Sequence, residues 1–125
     1  MARDKITMAY GVDDTSVSAS KATVTPVTIA PANGAVVDGF FKAKDNSAYL
    51  LLVITTAGSL ILKKGNAYPT NNILGDLEIS VYAGTHLITV ERSGRFENKD
   101  GSLNIDFKTG TAGTIAAFGK QAGLR

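Results

Sequence analysis

The single histidine is the first candidate for a catalytic residue. His86 lies in a β-type run, where it would share one strand face with Ile88 and Val90. A histidine acts as a general base when a carboxylate, here Glu91 or Asp76, orients its ring. Nothing near it in sequence has the features of an activated nucleophile, and one histidine excludes a multi-histidine metal site. We therefore predict a partly buried strand residue with hydrogen-bonded ring nitrogens.

The carboxylates occur in short clusters beside turn-forming residues. These clusters are Asp13-Asp14, Asp45-Asn46 and the stretch Asn98 to Gly101. Asp and Asn side chains in such positions cap their own backbone. None of the clusters has the spaced acidic ladder ending in Glu that a calcium loop requires. A pair of carboxylates from distant positions would suit a glycosidase, but their separation is not readable from sequence. We predict turns and no metal site.

The remaining catalytic signatures are also missing from the sequence. The chain has no Cys, so it has no thiolate nucleophile and no disulfide. The run Lys63 to Asn66 places lysines beside a glycine but lacks the spaced glycines and the Lys-Ser/Thr ending of a phosphate-binding loop. No G-x-S-x-G elbow is present. We predict that the protein is not an enzyme and that it uses no cofactor.

The elements that would position these residues are short β-strands. Eight runs rich in β-branched, aromatic and aliphatic residues are separated by Gly, Asn and Asp at intervals of about 10 residues. The runs are 23–30, 35–41, 48–56, 59–64, 77–82, 85–91, 103–108 and 114–118. Pro26 removes a ladder donor and places the first run at an edge. The apolar run 48–56 is typical of a central strand buried on both faces.

The pattern predicts an all-β, single-domain antiparallel β-sandwich, jelly-roll-like, with about eight strands over residues 23–119. Residues 1–22 are polar and small, and we expect a flexible, extended N-terminal arm. Residues 120–125 form a C-terminal tail. The loop 65–76 is long for a small domain, which is typical of a functional or contact surface.

Charge and hydropathy exclude two classes of partner. The net charge of +2 comes from 13 basic and 11 acidic residues without long runs, so we predict no direct contact with nucleic acid. The longest apolar run, 48–54, is far shorter than the ~20 residues that cross a bilayer. The first 14 residues contain no apolar stretch of signal-peptide length. We therefore expect synthesis in the cytoplasm and no membrane insertion.

Large rings in polar loops are the candidates for contact with a partner. Tyr68 and Phe96 lie in such loops, where they either fold back onto the sandwich or anchor a partner. Arg92 and Arg95 accompany Phe96, and these three residues form the most plausible contact cluster. Tyr10, in the predicted arm, completes the set of predicted contact residues.

The order of turns between Leu77 and Phe107 resembles a group of small tailed-bacteriophage virion proteins. The shared layout is an alternating strand, an Ala-Gly turn, a second strand, an Arg-Phe pair, an Asp-Gly turn and a strand ending in Asp-Phe. Here these motifs are Ala83-Gly84, Arg95-Phe96, Asp100-Gly101 and Asp106-Phe107. The T-P-V-T and A-x-N-G elements near Thr25 and Gly34 and the strand GTIAAF extend the resemblance over about residues 22–118.

The resemblance implies a β-sandwich protein that decorates or strengthens the phage head. Its implied partner is the major capsid protein, its implied assembly a homotrimer, and its implied location the outer capsid surface of the virion. Under this hypothesis, removal of residues 1–20 leaves a folded domain that no longer binds heads. Two alternatives stay open. One is a carbohydrate- or receptor-binding sandwich of a tail or fibre, disfavoured because the chain has no Trp and only four Tyr. The other is a tail or neck connector.

Overall fold

The protein is a sandwich of two five-stranded sheets. The structure is a computed structural model that describes residues 2–11, 24–42, 48–67, 75–90 and 95–120. Its strands are β1 (Asp4–Ile6), β2 (Met8–Gly11), β3 (Val27–Thr28), β4 (Ala35–Val37), β5 (Tyr49–Thr56), β6 (Gly58–Leu62), β7 (Leu77–Val81), β8 (Gly84–Thr89), β9 (Leu103–Phe107) and β10 (Ala112–Lys120). The first sheet has the order β1-β4-β9-β6-β7. The second has the order β2-β10-β5-β8, with β3 also paired to β10.

Eight of the strands pair in a nested order. β3 pairs with β10, β4 with β9, β5 with β8 and β6 with β7, and all four pairs are antiparallel. A long hairpin that is folded over into two sheets in this way is a jelly roll. Each of the eight predicted runs overlaps one of these strands, so the predicted sandwich is confirmed.

The N-terminal residues correct the prediction of a flexible arm. β1 pairs with β4, and β2 pairs with β10, both in parallel, so the sheets are mixed and not purely antiparallel. Ile6 and Met8 are buried on either side of the exposed Thr7, and the chain crosses from the first sheet to the second between them. The arm prediction is therefore wrong for residues 4–11. Residues 12–22 and the tail from 121 lie outside the described residues.

A glycine turn holds β1 in place. The Asp4 N–H donates to the Gly34 carbonyl at 3.1 Å, and the Asn33 Nδ2 donates to the Asp4 carboxylate at 3.1 Å. Gly34 has a φ of +71°, and a Cβ there would lie 2.9 Å from the Ile105 carbonyl oxygen and would also contact the Arg3 guanidinium. Only glycine combines this backbone conformation with such a close approach.

The core consists of the inward-facing rows of both sheets. The most deeply buried side chains include Val37, Phe40, Leu50, Leu52, Leu60, Leu103 and Ile105. In β5 burial alternates, so that Leu50, Leu52 and Ile54 face the core whereas Val53 faces outward and is exposed. The prediction that this strand is buried on both faces is wrong, because Val53 and Thr55 on its outer face are exposed.

Two predicted runs are shorter in the structure. The run 35–41 ends as a strand at Val37, because Asp38 and Gly39 form a turn in which Gly39 has a φ of +74°. Phe40 and Phe41 follow in a single 3-10 turn, with both rings buried and packed edge to face at 5.1 Å. The first run is a strand over only the two residues of β3, after Pro26, at the sheet edge where it was expected.

If β1 is part of the core, the Ile6→Ala substitution will lower the free energy of unfolding by about 2–4 kcal/mol, because it removes a buried side chain and leaves a cavity. Urea unfolding monitored by circular dichroism measures this loss. The Lys5→Ala substitution, at an exposed neighbouring position, is the matched control and should change stability little. Equal stability of the Ile6→Ala variant and the parent would contradict the burial of β1 and support a flexible N-terminal arm.

Candidate functional site

The two sheets differ sharply in charge. The five strands of the second sheet contain no Asp, Glu or Arg, and their one Lys is Lys120, the last residue of β10. Strands of the first sheet carry Asp4, Lys5, Glu78 and Asp106. Water solvates the charged face, whereas a charge-free sheet face lowers the desolvation cost of contact with another protein.

The outward side chains of the second sheet form a surface that we call the charge-free face. It consists of Tyr49, Leu51 and Val53 from β5, Leu87 from β8 and Phe118 from β10, as the strand registers place them. Leu51 lies beside Leu87, and the Tyr49 ring stacks on Phe118 at 5.3 Å with 26° between the ring planes. Threonines at both ends of this row complete the surface, so it is apolar and uncharged.

Large hydrophobic side chains are exposed on strands of both sheets and in the turn that joins β7 to β8. Among the described residues these are Val53 (42% exposed), Leu77 (38%), Tyr82 (72%) and Leu87 (59%). They lie on β5, β7, β8 or the turn that joins β7 to β8. Of these residues Val53 and Leu87 share the charge-free face, and an exposed apolar surface on one face is typical of an interaction site.

His86 is a strand residue at the margin of the core. It lies opposite Leu52, and its Nε2 is 2.7 Å from the Tyr82 carbonyl oxygen. The Tyr82 ring packs edge to face against the imidazole at 5.3 Å. The prediction of a half-buried strand residue with a hydrogen-bonded ring is confirmed for this nitrogen. Asp76, one of the two carboxylates considered as an orienting partner, bonds to Lys63. Glu91 lies outside the described residues.

An ion-pair network crosses the outer face of the first sheet. Lys63 Nζ lies 2.7 Å from Asp76 and 3.5 Å from Asp106, and Asp106 also pairs with Arg3. The hydrogen bond from Lys63, together with the bond from the Lys64 backbone N–H, lowers the pKa of the Asp76 carboxyl. The same Lys63–Asp76 hydrogen bond raises the pKa of the Lys63 ammonium. The network therefore links β1, β6, β9 and the start of β7.

Lys63 lies beside the carboxylates of Asp76 and Asp106, and an amine next to a carboxyl group is the pair from which an internal amide bond can form. The charge states of these groups oppose that reaction. An amine attacks only when neutral, and enzymes achieve this by desolvation that lowers its pKa. Here the lysine pKa is raised, the Asp76 pKa is lowered, and both side chains are about a third exposed to water. The trio is a solvated ion-pair network.

The predicted contact cluster is largely internal where the structure describes it. The ring of Phe96 is buried in the core, and the Arg95 guanidinium lies over it, 5.0 Å from the ring centroid. Arg95 also donates from Nε to the Gly75 carbonyl at 3.0 Å and from Nη2 to the Asp76 carbonyl at 3.1 Å. The structure shows the first of the two outcomes predicted for Phe96, a ring that folds back onto the sandwich. It also gives Arg95 contacts that hold the start of β7.

The other predicted contact residues fall outside the described part of the chain. Tyr68 and Arg92 are not described, and neither is the side chain of Tyr10, although its backbone belongs to β2. The structure therefore brings together only Arg95 and Phe96 from this set.

A polar groove lies beside the loop that contains Asn98. Its volume is about 390 Å³, and it is lined by Val36, Asn66, Asn98, Lys99, Asp100, Ser102 and Asn104. Several of its polar groups bond to one another. Asn66 accepts from the Lys99 N–H, Asn98 Nδ2 donates to the Ser102 carbonyl, and Asp100 accepts from the Ser102 N–H. The predicted turn at Asn98 to Gly101 is confirmed, with side chains that cap their own backbone.

The described residues contain no group of three or more His, Cys, Asp or Glu side chains placed to hold a metal ion. They also contain no helix with the length and hydropathy to span a membrane.

Sequence reasoning missed the charge-free face. The signal for it was present, because residues 48–62 contain no charged side chain and neither do residues 112–119. What the sequence alone did not supply is the pairing that brings β5, β8 and β10 side by side.

Comparisons with known proteins found no matching family model, no matching curated protein and no matching solved structure.

The ion-pair network predicts a stability difference that depends on pH. Replacement of Asp76 by Asn keeps an acceptor for the Lys64 N–H but removes the charge, and it should cost about 1 kcal/mol or less at neutral pH. Because the folded-state pKa of Asp76 is lowered, its contribution is present above the ordinary Asp pKa of 3.8 and is lost as the pH falls through the folded value. The raised pKa of Lys63 means that the pair also weakens above pH 10.5. Urea unfolding at several pH values measures the difference.

The matched control for that measurement is Asp38→Asn. Asp38 and Lys5 are 3.9 Å apart and both largely exposed, so at neutral pH this variant should cost less stability than Asp76→Asn. A gap between Asp76→Asn and the parent that persists unchanged at pH values below the ordinary Asp range would contradict the ion-pair assignment.

Arg95 should contribute to stability through its contacts with the start of β7. Replacement by Ala removes two charge-assisted hydrogen bonds and the packing over Phe96, and we expect a loss of about 1–2 kcal/mol in the free energy of unfolding. Lys99→Ala removes a charge from the same loop while leaving its backbone bond to Asn66, so it serves as the control. Unchanged stability of the Arg95→Ala variant would return Arg95 to the role of a partner contact.

Proposed function

We propose that this protein is an auxiliary structural protein of a tailed-phage virion that binds the outer surface of the capsid. The charge-free face is the observation that carries the proposal, because it gives an otherwise well-packed jelly roll one apolar, uncharged surface. The motifs between Leu77 and Phe107, which resemble those of phage head proteins, supply the class of partner.

The physical character of the face suits attachment to a protein lattice. Tyr49 and Phe118 stack on one another, which fixes both rings without a partner and lowers the entropic cost of binding. Val53 and Leu87 are exposed beside them. Their apolar surface is removed from water only when a partner covers it, and this removal favours binding. Many copies of one modest contact on a regular lattice give high avidity.

The proposed partner is the major capsid protein, presenting an apolar surface without charge at the contact. A charged patch opposite the charge-free face would lose its hydration without gaining an ion pair. The charged face of the first sheet would then point away from the capsid toward water. The homotrimer implied by the resemblance stays a prediction that no contact among the described residues addresses.

The groove beside Asn98 bears on the alternative of a carbohydrate-binding module. Its amide and hydroxyl groups resemble those that bind sugar hydroxyls, but no aromatic ring is among the described residues that line it. Since several of its polar groups already bond to each other, it ranks below the charge-free face as a binding surface. The tail or neck connector would use the same face on another ring of the virion.

The charge-free face predicts that Val53→Lys abolishes capsid binding while the protein stays folded. Val53 points outward between Thr85 and Thr114, so a lysine is solvated in the free protein but buried without a counter-charge in the complex. We expect affinity for heads stripped of this protein to fall by at least about 100-fold. Co-sedimentation of purified protein with such heads measures it.

The matched control is Ser80→Lys, which adds the same charge to the exposed outer side of β7 in the first sheet. It should bind heads like the parent. Immunogold electron microscopy of intact virions tests the location: label over heads supports the proposal. Label confined to tails or fibre tips, or Val53→Lys binding as tightly as Ser80→Lys, would overturn it.

A further inference from the structure

β8 is an edge strand whose outer side meets none of the described elements. It lies at the end of the second sheet, with β5 on one side and no described strand on the other. In an antiparallel strand alternate residues direct their N–H and C=O groups away from the existing partner. Such a row is a template for another strand. Leu87, in the middle of β8, is 59% exposed on the outer face.

The other edges carry features that prevent strand addition. β1 has three residues, two of them charged, and β7 has Glu78 as the second of its five residues. β3 has two residues and follows Pro26, and β2 has four residues. Short length, charge and proline are the usual protections of sheet edges. β8 is the longest of these strands, with six residues. Its sequence GTHLIT contains no Pro, Asp, Glu, Lys or Arg.

The composition of β8 suits pairing with itself. In a two-fold antiparallel pair every residue faces a residue of the same strand, so a strand with a lysine or carboxylate near its centre would meet its own charge. A pair centred on Leu87 places Leu87 beside its counterpart and Thr85 beside Thr89 of the second copy. Leucine against leucine and threonine against threonine are favourable cross-strand neighbours.

We infer that two copies of this chain associate through β8, pairing antiparallel about a two-fold axis at Leu87. The two second sheets then form one continuous sheet, and the two charge-free faces become one surface of twice the area. This pairing stands independently of what the charge-free face binds. It yields a dimer, which departs from the homotrimer implied by the resemblance.

The oligomeric state of the full chain is the first test. Sedimentation equilibrium should give twice the 13.0 kDa of one chain, in equilibrium with monomer on dilution. Leu87→Lys introduces a charge opposite its own copy and should shift the protein to monomer, and Thr85→Lys is a second variant in case the first misfolds. Ser80→Lys, on the β7 edge, should remain dimeric. A monomer at every concentration, a trimer, or a Leu87→Lys variant that is folded and still dimeric would overturn the inference.

The absence of native cysteine allows the register to be tested directly. Leu87→Cys should form a disulfide-linked dimer under mild oxidation, because opposed Cβ atoms lie about 5 Å apart. Thr85→Cys and Thr89→Cys should each cross-link poorly alone but efficiently when the two variants are mixed. Ser80→Cys should not cross-link. Equal cross-linking of all four variants, or none, would refute the register.

These outcomes are separable from those of the proposed function. Val53→Lys should lose head binding and remain dimeric if both proposals hold, because Val53 lies on β5 behind the edge. A dimer that does not bind heads would leave the pairing intact and overturn only the capsid proposal. A monomer that binds heads would overturn only the pairing through β8 and would leave the capsid proposal intact.

Discussion

Closure of one side of the sandwich is the constraint on which the rest of the structure depends. Two stacked sheets have two open sides, and each exposes the margin of the core to water. Residues 4–11 close one side, since they run from the first sheet to the second and bury Ile6 and Met8. The opposite side is formed by β7 and β8, where the chain again crosses from the first sheet to the second, through the exposed Tyr82 and Ala83. Leu77 and Tyr82 are exposed at this side, whereas Val53 and Leu87 are exposed because they lie on the outer face of the second sheet.

The distribution of charge also divides the molecule, because the two sheets differ in their charged residues. The outer face of the first sheet carries the network of Arg3, Lys63, Asp76 and Asp106, which joins strands distant in sequence. Each exposed pair adds little to stability, but the network keeps this face solvated. The second sheet has no comparable groups, so its outer face relies on Tyr49 and Phe118 stacking and on neighbouring threonines. One face therefore suits water and the other suits a protein surface.

The sequence predicted the eight strands of the jelly roll but not their long-range pairing. Alternation in β9 and β7 and the glycine-containing turns predicted the strands themselves, because one buried face imposes a period of two. β1 and β2 were missed because three or four residues show no period, and their partners lie about 30 and 110 residues away. For Phe96 the sequence left two outcomes open, folding back or contact with a partner, and the Arg95 side chain and core packing hold its ring inside. Local composition does not encode such contacts.

The number of unprotected sheet edges determines whether association through strand pairing ends at a dimer or continues into a fibre. A sheet with two open, neutral edges adds copies without limit and forms a fibre. Here β8 alone combines length with the absence of proline and of permanent charge, whereas the remaining described edges are short or charged. A two-fold pair uses the β8 edge of both copies, so no second edge of the same kind remains to continue the sheet. The net charge of only +2 gives little repulsion between copies. One unprotected edge per copy thus allows close association at low charge and limits it to a closed pair.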